Sequence, residues 1–448
     1  MNQDLRYKTY GVHNFRQIPQ MEGLSEDQKF AIEVVGKVLP FKVNNYVIDE
    51  LIDWSKVPSD PIYILTFPQK DMLKEADFNR MADALRGNAD RKEIKKIANE
   101  IRMSLNPHPA GQLELNVPQI DGIKLTGIQH KYRETMLFFP QQGQTCHAYC
   151  TFCFRWPQFV GINELKFAMK ETELMVKYLK AHPEVTDVLF TGGDPMIMTN
   201  ARLENYILPL LEIPTVRTIR IGTKALGYWP YRFLTDKDAD ETLRLFEKVQ
   251  KAGKHLSFMG HFNHLSEMLT PGVKEATQRI LATGARIRTQ SPVMRNINDS
   301  SEVWRDMWKE QVKQGMIPYY FFVARDTGAQ DYFAVPLMRA YGIFNEAYKQ
   351  VSGIARTVRG PSMSAGPGKV QVLGTAEIHG EKVMALRFIQ ARNPDWVHQP
   401  FFAQHDENAI WLDDLKPAFG EKEFFYEAEY KAMGQSKVQE PELEVAAL

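Results

Sequence analysis

The sequence has few cysteines. A chain of 448 residues contains only three, Cys146, Cys150 and Cys153, and all of them lie in one short stretch. An odd, clustered set cannot build the disulfide framework of a secreted protein. We therefore expect a cytoplasmic protein that works in a reducing compartment.

The sequence also has no excess of positive or negative charge. Lys plus Arg and Asp plus Glu both number 55, so the formal net charge is zero. The sequence therefore gives no reason to expect a nucleic-acid or membrane partner. The most apolar run, Ile317–Ala324, is too short to span a bilayer. The first twenty residues lack the apolar core of a secretory signal.

Apolar strand-like runs alternate with amphipathic helical stretches from about Glu134 onward. This alternation predicts an α/β fold with six strand–helix units around a parallel sheet, and a doubly wound open sheet is the alternative. One predicted helix follows the cysteines and places Leu165, Met169, Met175 and Leu179 on one face. The predicted strands lie in the stretches 134–140, 186–195, 216–226, 255–262, 286–295 and 317–326.

The flanking regions differ from this alternating centre. Residues 1–125 contain helical stretches such as Glu75–Ala84 and Arg91–Met103, and are predicted to form an N-terminal helical domain. Residues 126–350 form the central domain. Residues 351–448 form a C-terminal extension, in which Glu381–Ala391 is predicted to be a strand or hairpin. The polar end from Gly434 is predicted to be frayed.

The three cysteines follow the pattern C-x3-C-x2-C after the first predicted strand. A structural zinc site needs four ligands, and His147 is awkwardly placed beside Cys146 to serve as the fourth. A [4Fe–4S] cluster with three thiolate ligands would keep one iron open for another molecule. The alternative is three buried, inert cysteines that are merely neighbours.

This spacing, with Phe152 before the last cysteine, resembles the signature of radical S-adenosylmethionine (SAM) enzymes. The resemblance implies a [4Fe–4S] cluster on Cys146, Cys150 and Cys153, with SAM on the open iron. It also implies a partial (β/α)6 barrel. The segment "TGGDP" resembles the family's SAM-binding segment, and thereby marks Gly192, Gly193 and Asp194. By itself the segment is more typical of a turn at the end of a strand.

Further stretches resemble the lysine 2,3-aminomutase family over residues 40 to 375. They are "FKVNNYVIDELIDW…DPIYILTFP" (Phe41–Pro68), "RIGTK" (Arg220–Lys224), "HFNH" (His261–His264), "TQSPVMRNINDS" (Thr289–Ser300) and "GPGK" (Gly366–Lys369). The resemblance implies an isomerase that moves an α-amino group from C2 to C3 of an amino acid. It implies pyridoxal 5'-phosphate (PLP) as a further cofactor, a reductase such as flavodoxin or ferredoxin, and a homo-oligomer.

The same resemblance assigns roles to single residues. Lys369 matches the lysine that binds PLP, and Arg155 matches the arginine that binds the substrate α-carboxylate. Lys131 matches a residue near the PLP phosphate, although arginine is usual there. His261 and Gln290 match positions in the SAM pocket. Without the resemblance, Lys369 and Arg155 would be ordinary surface residues, and His261 and Gln290 satisfied core polar residues.

Two departures concern substrate and zinc. Lysine-specific relatives bind the distant ammonium with two aspartates, and those positions here are Arg325 and Ser362. A basic and a neutral group suit a carboxylate, so we expect an acidic or polar substrate such as glutamate. A one-residue slip would restore Asp326, and Arg325 would alternatively pair with Asp326 or Asp331 outside the pocket. Ser300 replaces a zinc cysteine, so we expect no zinc site.

Two rival functions stay open at this stage. One is a radical SAM enzyme of the same fold that has lost PLP and performs other chemistry. The other is a non-catalytic iron–sulfur protein for electron transfer.

Overall fold

A computed structural model describes residues 6–162 and 165–438. Its strands are β1 Thr9–Gly11, β2 Lys42–Asn44, β3 Gln119–Ile120, β4 Ile123–Lys124, β5 Ile128–Tyr132, β6 Thr135–Phe138, β7 Asp187–Phe190, β8 Thr218–Thr223, β9 His255–His261, β10 Arg286–Val293, β11 Ile317–Val323, β12 Arg359–Ser364, β13 Gly368–Ile378, β14 Glu381–Ala391 and β15 Pro400–Gln404. Most of these strands form one eleven-stranded sheet, with the order β15-β14-β13-β12-β11-β10-β9-β8-β7-β6-β5.

The α-helices are α1 Glu26–Val38, α2 Pro61–Thr66, α3 Glu75–Arg86, α4 Arg91–Ser104, α5 Gln112–Leu115, α6 Thr172–Ala181, α7 Asn200–Leu211, α8 Ala225–Tyr228, α9 Ala239–Lys251, α10 Pro271–Ala282, α11 Ser301–Lys313, α12 Gln330–Phe333, α13 Leu337–Lys349 and α14 Glu427–Val438. Those from α6 to α13 follow the central strands in the chain. In the described ranges, no helix has the length and apolar character needed to cross a bilayer.

The six predicted strand–helix units are confirmed as β6 to β11. These strands pair in parallel and lie in chain order across the sheet. The doubly wound alternative is wrong, because its strand order reverses at a switch point. Right-handed crossovers between successive neighbours place their helices on one face of the sheet. The opposite face is thereby left for a site.

The end of the chain extends this sheet. The strand predicted over Glu381–Ala391 is β14, with the same bounds, and it forms a long hairpin with β13. Strand β12 adds a seventh parallel strand that the sequence pattern did not predict. Helix α14 reaches Val438, so the first residues of the tail predicted to be frayed are helical. Residues 439–448 lie outside the described part of the chain.

One predicted helix begins later than expected. Helix α6 starts at Thr172, and Leu165 and Met169 precede it. Met169 instead forms an isolated parallel bridge with Pro140, and its carbonyl accepts a hydrogen bond from the amide of Gln141 at 3.0 Å. The carbonyl of Met169, which would accept a hydrogen bond inside a longer helix, is thereby bound to the strand side instead. Residues 163 and 164 of the predicted helix lie outside the described ranges.

The N-terminal region contains the predicted helices, now α3 and α4, together with the small antiparallel pair of β1 and β2. Helix α1 begins with a reciprocal capping box between Ser25 and Gln28. The buried core of this region includes Val35 and Phe67, and it continues into Trp156 and Met294 of the central region. The N-terminal region therefore packs directly against the loops at the end of the central strands.

Candidate active site

One cavity of about 270 Å³ lies at the ends of the central strands. The chain brings together residues from both ends of the sheet here, because Lys131 of β5 and Gln390 of β14 both line it. The two ends of the sheet therefore approach each other across the cavity. Six residues singled out in the sequence are among its lining side chains: Lys131, Arg155, His261, Gln290, Arg325 and Lys369.

The ionisable side chains that line this cavity are mostly basic. Its lining includes five Lys or Arg side chains, and no Asp or Glu of the described residues lines it. The arginines of this wall favour an anion over an ammonium group, although Arg220 and Arg325 also pair with Asp187 and Asp326, which do not line the cavity. The cationic residues are Lys131, Arg155, Arg220, Arg325 and Lys369.

Lys369 lies at the second position of β13 inside this cavity, so the alternative of an exposed lysine beside a turn is wrong. Its amine donates a hydrogen bond to Oε1 of Gln390 at 3.1 Å and lies 4.1 Å from the ring centroid of Tyr320. Burial, with Arg220 and Arg359 nearby, lowers its pKa to about 7. A lysine with such a pKa carries a free lone pair near neutral pH and can attack a carbonyl.

Lys131 lies in a crowded cationic corner of the same cavity. Its amine donates to the carbonyl of Ala365, in the segment that leads to Lys369. Burial lowers its pKa well below the ordinary value, and Arg392, Arg325 and Lys369 lower it further. An anion bound in this corner would relieve the repulsion among these groups. The surroundings therefore fit the phosphate of a cofactor.

The guanidinium groups of Arg155 and Arg325 both lie near the ring of Phe154. Their guanidinium carbons lie 5.0 Å and 5.3 Å from the ring centroid of Phe154. Nε of Arg325 is 3.8 Å from Oδ1 of Asp326, and neither atom has a hydrogen-bond partner within the described residues. Arg325 does pair with Asp326, but it lines the cavity rather than lying outside it.

The three cysteines lie in the loop after β6. Burial raises the pKa of Cys150 to about 12 and that of Cys153 to about 11, and it raises the pKa of Cys146 well above its ordinary value. The thiols also repel one another as thiolates, so a thiolate set here requires added positive charge. Iron ions would supply that charge, because a coordinating thiol is deprotonated outright.

No group of three or more His, Cys, Asp or Glu side chains in residues 6–162 and 165–438 could hold a single metal ion. A [4Fe–4S] cluster does not require such convergence, because each thiolate binds a different iron atom. The three-thiol loop therefore fits a cluster by its donors.

Hydrogen bonds to backbone and side-chain groups of the N-terminal region hold this cysteine loop in place. The amide of Tyr149 donates to the carbonyl of Lys42 at 2.7 Å, and the amide of Thr151 donates to the carbonyl of Leu65 at 2.9 Å. Nδ2 of Asn44 donates to the carbonyl of His147 at 3.2 Å. Sequence reasoning did not find these supports, and only the similarity of Phe41–Pro68 to a known family pointed to that stretch.

Gly192 and Gly193 pack against the same loop. A Cβ atom on Gly193 would overlap the backbone of Thr145, and one on Gly192 would overlap the side chain of Gln144. Gly192 also has φ of +135°, a conformation that side chains rarely adopt. The glycines are thus required for contact between two loops, in addition to the cofactor contact expected from the sequence.

Asp194 is buried at the edge of this contact. Its carboxylate accepts hydrogen bonds from the Thr223 hydroxyl at 2.7 Å and from the amides of Met196 and Lys224 at 2.9 Å. Burial raises its pKa, and these donors oppose the rise. Its observed partners are therefore protein groups, which join the ends of β7 and β8. Its predicted contact with a cofactor stays a prediction.

His261 and Gln290 are paired neighbours on β9 and β10. The imidazole of His261 stacks on Phe152 at a centroid distance of 5.7 Å. Burial lowers its pKa to about 3, so the ring is neutral and can accept a hydrogen bond. The nearby amine of Lys224 donates to the His261 carbonyl at 3.2 Å and forms a buried ion pair with Glu267.

Ser362 lies on β12, two positions before Ser364. It is fully buried, and its hydroxyl has no hydrogen-bond partner within the described residues. The serine of this strand that lines the cavity is Ser364. A substrate contact of Ser362 stays a prediction.

A search against models of known protein families gives no match. Searches of characterised proteins find several relatives. A putative L-lysine 2,3-aminomutase of Aquifex aeolicus is 30% identical over 395 residues, which cover 88% of this chain and 92% of that protein. The L-lysine 2,3-aminomutase of Bacillus subtilis is 23% identical over 362 residues, covering 81% of this chain and 67% of that protein.

The L-lysine 2,3-aminomutase of Fusobacterium nucleatum is 26% identical over 286 residues, covering 64% of each chain. Among solved structures, SuiB of Streptococcus suis matches with a TM-score of 0.34 and 13% identity, covering 60% of this chain and 55% of that one. We draw nothing from this structural match, because its score is low.

Proposed function

Because the chain belongs to the lysine 2,3-aminomutase family of radical SAM enzymes, we propose that it moves the α-amino group of a dicarboxylic amino acid, such as glutamate, from C2 to C3. Enzymes of this family are isomerases that use a [4Fe–4S] cluster, SAM and PLP. The observation that carries the substrate class is the cavity wall, which has five basic and no acidic side chains among the described residues.

The residues present fit these cofactors. Cys146, Cys150 and Cys153 would hold the cluster, and Lys369 would hold PLP with its phosphate toward Lys131. SAM would lie against Gly192, Gly193, His261 and Gln290. When bound, the cluster and SAM supply a carbon radical that removes a hydrogen atom, and PLP supplies a π system that delocalises an unpaired electron.

Two arginines orient the substrate. Arg155 binds the α-carboxylate through the two-donor fork of its guanidinium group, and Arg325 binds the side-chain carboxylate in the same way. Both guanidinium groups lie near the ring of Phe154, which helps to fix their positions. The ammonium of a lysine substrate would instead face the guanidinium of Arg325, and two like charges oppose binding.

The side-chain amine of Lys369 can gain or lose a proton near neutral pH. Its Nζ releases a proton near neutral pH because its pKa is lowered to about 7. Gln390 holds the amine through Oε1, and the ring of Tyr320 covers it. Phe152, Phe154 and Phe322 line the cavity and exclude water from it, which protects a reactive centre from side reactions.

The architecture of this proposal is a partial (β/α)6 barrel over residues 126–350, preceded by an N-terminal domain over 1–125 and followed by an extension over 351–448 that carries Lys369. Its support is the approach of both ends of the sheet to one cavity. The working enzyme is a cytoplasmic homo-oligomer that receives its electron from a reductase.

An amino-acid panel tests the substrate class. The cluster is reconstituted anaerobically, SAM, PLP and dithionite are added, and mass spectrometry measures the β-isomer of each amino acid. We expect glutamate to be converted faster than lysine. Faster conversion of lysine would overturn the assignment of Arg325. Absence of any isomer, with 5′-deoxyadenosine still formed, would overturn the aminomutase assignment.

A further inference from the structure

A second, more open cavity lies outside the sheet between α6 and α7. Its volume is about 740 Å³, and four cationic side chains and one acidic side chain, Glu173, line it. The whole chain has a net charge of zero, so composition does not explain this concentration. The cationic residues are Lys170, Lys177, Lys180 and Arg202, and we call this surface the basic groove.

Most of the positive charge in the basic groove is not neutralised by the chain itself. Lys177 pairs with Asp121. Lys170, Lys180 and Arg202 are exposed, and none of them has a carboxylate within ion-pair distance in the described ranges. An excess of exposed positive charge along α6, α7 and the segment that leads into α6 attracts a partner that carries several carboxylates.

The end of the basic groove at Gln142 is connected to the cysteine loop. Gln142 lines the groove and lies in the short helical turn Gln141–Gly143. Its Oε1 accepts a hydrogen bond from the Tyr206 hydroxyl at 2.6 Å. The next residue, Gly143, accepts a hydrogen bond from the amide of Asp194 at 3.1 Å. Cys146 follows Gln142 by four positions, and four residues of fully extended chain span at most about 14 Å. The Cα atom of Gln142, at this end of the groove, therefore lies within about 14 Å of the Cα atom of Cys146.

We propose that the basic groove is the docking surface for an acidic one-electron carrier protein of the flavodoxin type. The proposal rests on the proposed function, because radical generation needs an electron at the cluster. A flavin hydroquinone gives up one electron and becomes a semiquinone, and the cluster passes from the 2+ to the 1+ state. The groove lies beside the cysteine loop on the outer surface, so a docked protein approaches the cluster without entering the substrate cavity.

Charge reversal in the basic groove tests this proposal. The variant is Lys170→Glu with Arg202→Glu, and the matched control is Lys251→Glu with Lys313→Glu, two exposed lysines of α9 and α11 outside the groove. Surface plasmon resonance measures binding of oxidised flavodoxin to the cluster-loaded enzyme at low and high salt. Stopped-flow absorbance measures cluster reduction by flavodoxin hydroquinone and, separately, by dithionite.

At low salt we expect association and cluster reduction by flavodoxin to fall about tenfold in the groove variant and to be unchanged in the control. High salt should remove most of the difference, because exposed charges are screened. Reduction by dithionite should be equal in all three proteins. The milder variant Lys170→Gln with Arg202→Gln should show a smaller fall.

Equal binding and reduction by flavodoxin in wild type and groove variant would overturn the docking surface, and so would wild-type binding that does not depend on salt. Failure of the proposed function has a different signature. In that case dithionite reduces the cluster, but no β-amino acid forms in the wild type, while the flavodoxin measurements still report on the groove.

Discussion

The amine of Lys369 lies 3.1 Å from Oε1 of Gln390, its direct partner in the pairing of β13 with β14. The amide oxygen is a neutral acceptor, so it holds the amine without the charge that would stabilise the protonated form. Burial and two arginines then lower the pKa of Lys369 to about 7. Gln390 is therefore a positioning residue whose neutrality matters as much as its hydrogen bond.

Replacing this amide with a carboxylate changes the pH range in which PLP binds. In the wild type, the amine is unprotonated above a pKa of about 7, so covalent loading of PLP should rise through that pH. In Gln390→Glu, a negative charge favours the protonated amine, and the rise should move upward by about one pH unit or more. Absorbance of the bound cofactor against pH measures the shift.

Gln371→Glu is the matched control for this experiment. Gln371 is on the same strand as Lys369, but its Oε1 is held by Arg387 outside the cavity lining. Its pH profile should equal that of the wild type. An unshifted profile in Gln390→Glu would contradict the role assigned to Gln390.

Borohydride distinguishes a PLP enzyme from a relative that has lost the cofactor. Reduction of PLP-loaded protein should attach the cofactor permanently to Lys369, because its free amine faces a cavity built from cationic side chains. Peptide mass mapping locates the modification. Lys369→Ala should lose it, and Lys382→Ala, an exposed lysine of β14, should retain it. Unmodified Lys369 in a protein that still binds iron and SAM would support the PLP-free rival.

Arg325 should control the choice between acidic and basic substrates. Arg325→Asp removes a charge-assisted contact and adds repulsion, so kcat/KM for glutamate should fall by roughly 10- to 100-fold. Activity toward lysine should rise relative to glutamate, because the new carboxylate suits an ammonium. Steady-state kinetics with both substrates checks this ratio.

The control for Arg325 is Arg339→Asp, which reverses the charge of an exposed arginine that pairs with Asp299. The glutamate-to-lysine ratio should not change in that variant. Arg325→Gln, together with a melting curve, separates loss of charge from loss of folding. A ratio equal to that of the wild type in both Arg325 variants would rule out contact with the substrate side chain.

Asn44 should be required for retention of the cluster. Its buried Nδ2 donates to the carbonyls of His147 and Tyr228, and its Oδ1 accepts from the amide of Val47. Asn44→Ala leaves these groups unpaired, which should lower the free energy of unfolding by roughly 1–3 kcal/mol and release iron from the loop. Iron content and thermal unfolding measure the two effects.

Asn45→Ala is the neighbouring control, because the hydrogen bonds of Asn45 lie at the surface. It should retain iron and unfold close to the wild-type temperature. If Asn44→Ala retains iron under the same conditions, the cysteine loop does not depend on this support.

The repeated strand and helix patterns were sufficient to predict β6 to β11. They were not sufficient for β12, because Arg359–Ser364 contains glycine, proline and serines, which strands disfavour. The start of α6 was misplaced because the bridge between Pro140 and Met169 is a tertiary contact. Local sequence could not show that Arg155 and Arg325 both lie near the ring of Phe154, since distant parts of the chain bring them together.

The hydrogen bonds that join the cysteine loop to Lys42, Asn44 and Leu65 have a consequence for enzyme maturation. The central strands can form from their own contacts, but the loop reaches its final shape only when the N-terminal region is in place. We therefore expect iron delivery to follow docking of that region. A chain captured before this step would have a folded sheet but could not yet accept its cluster.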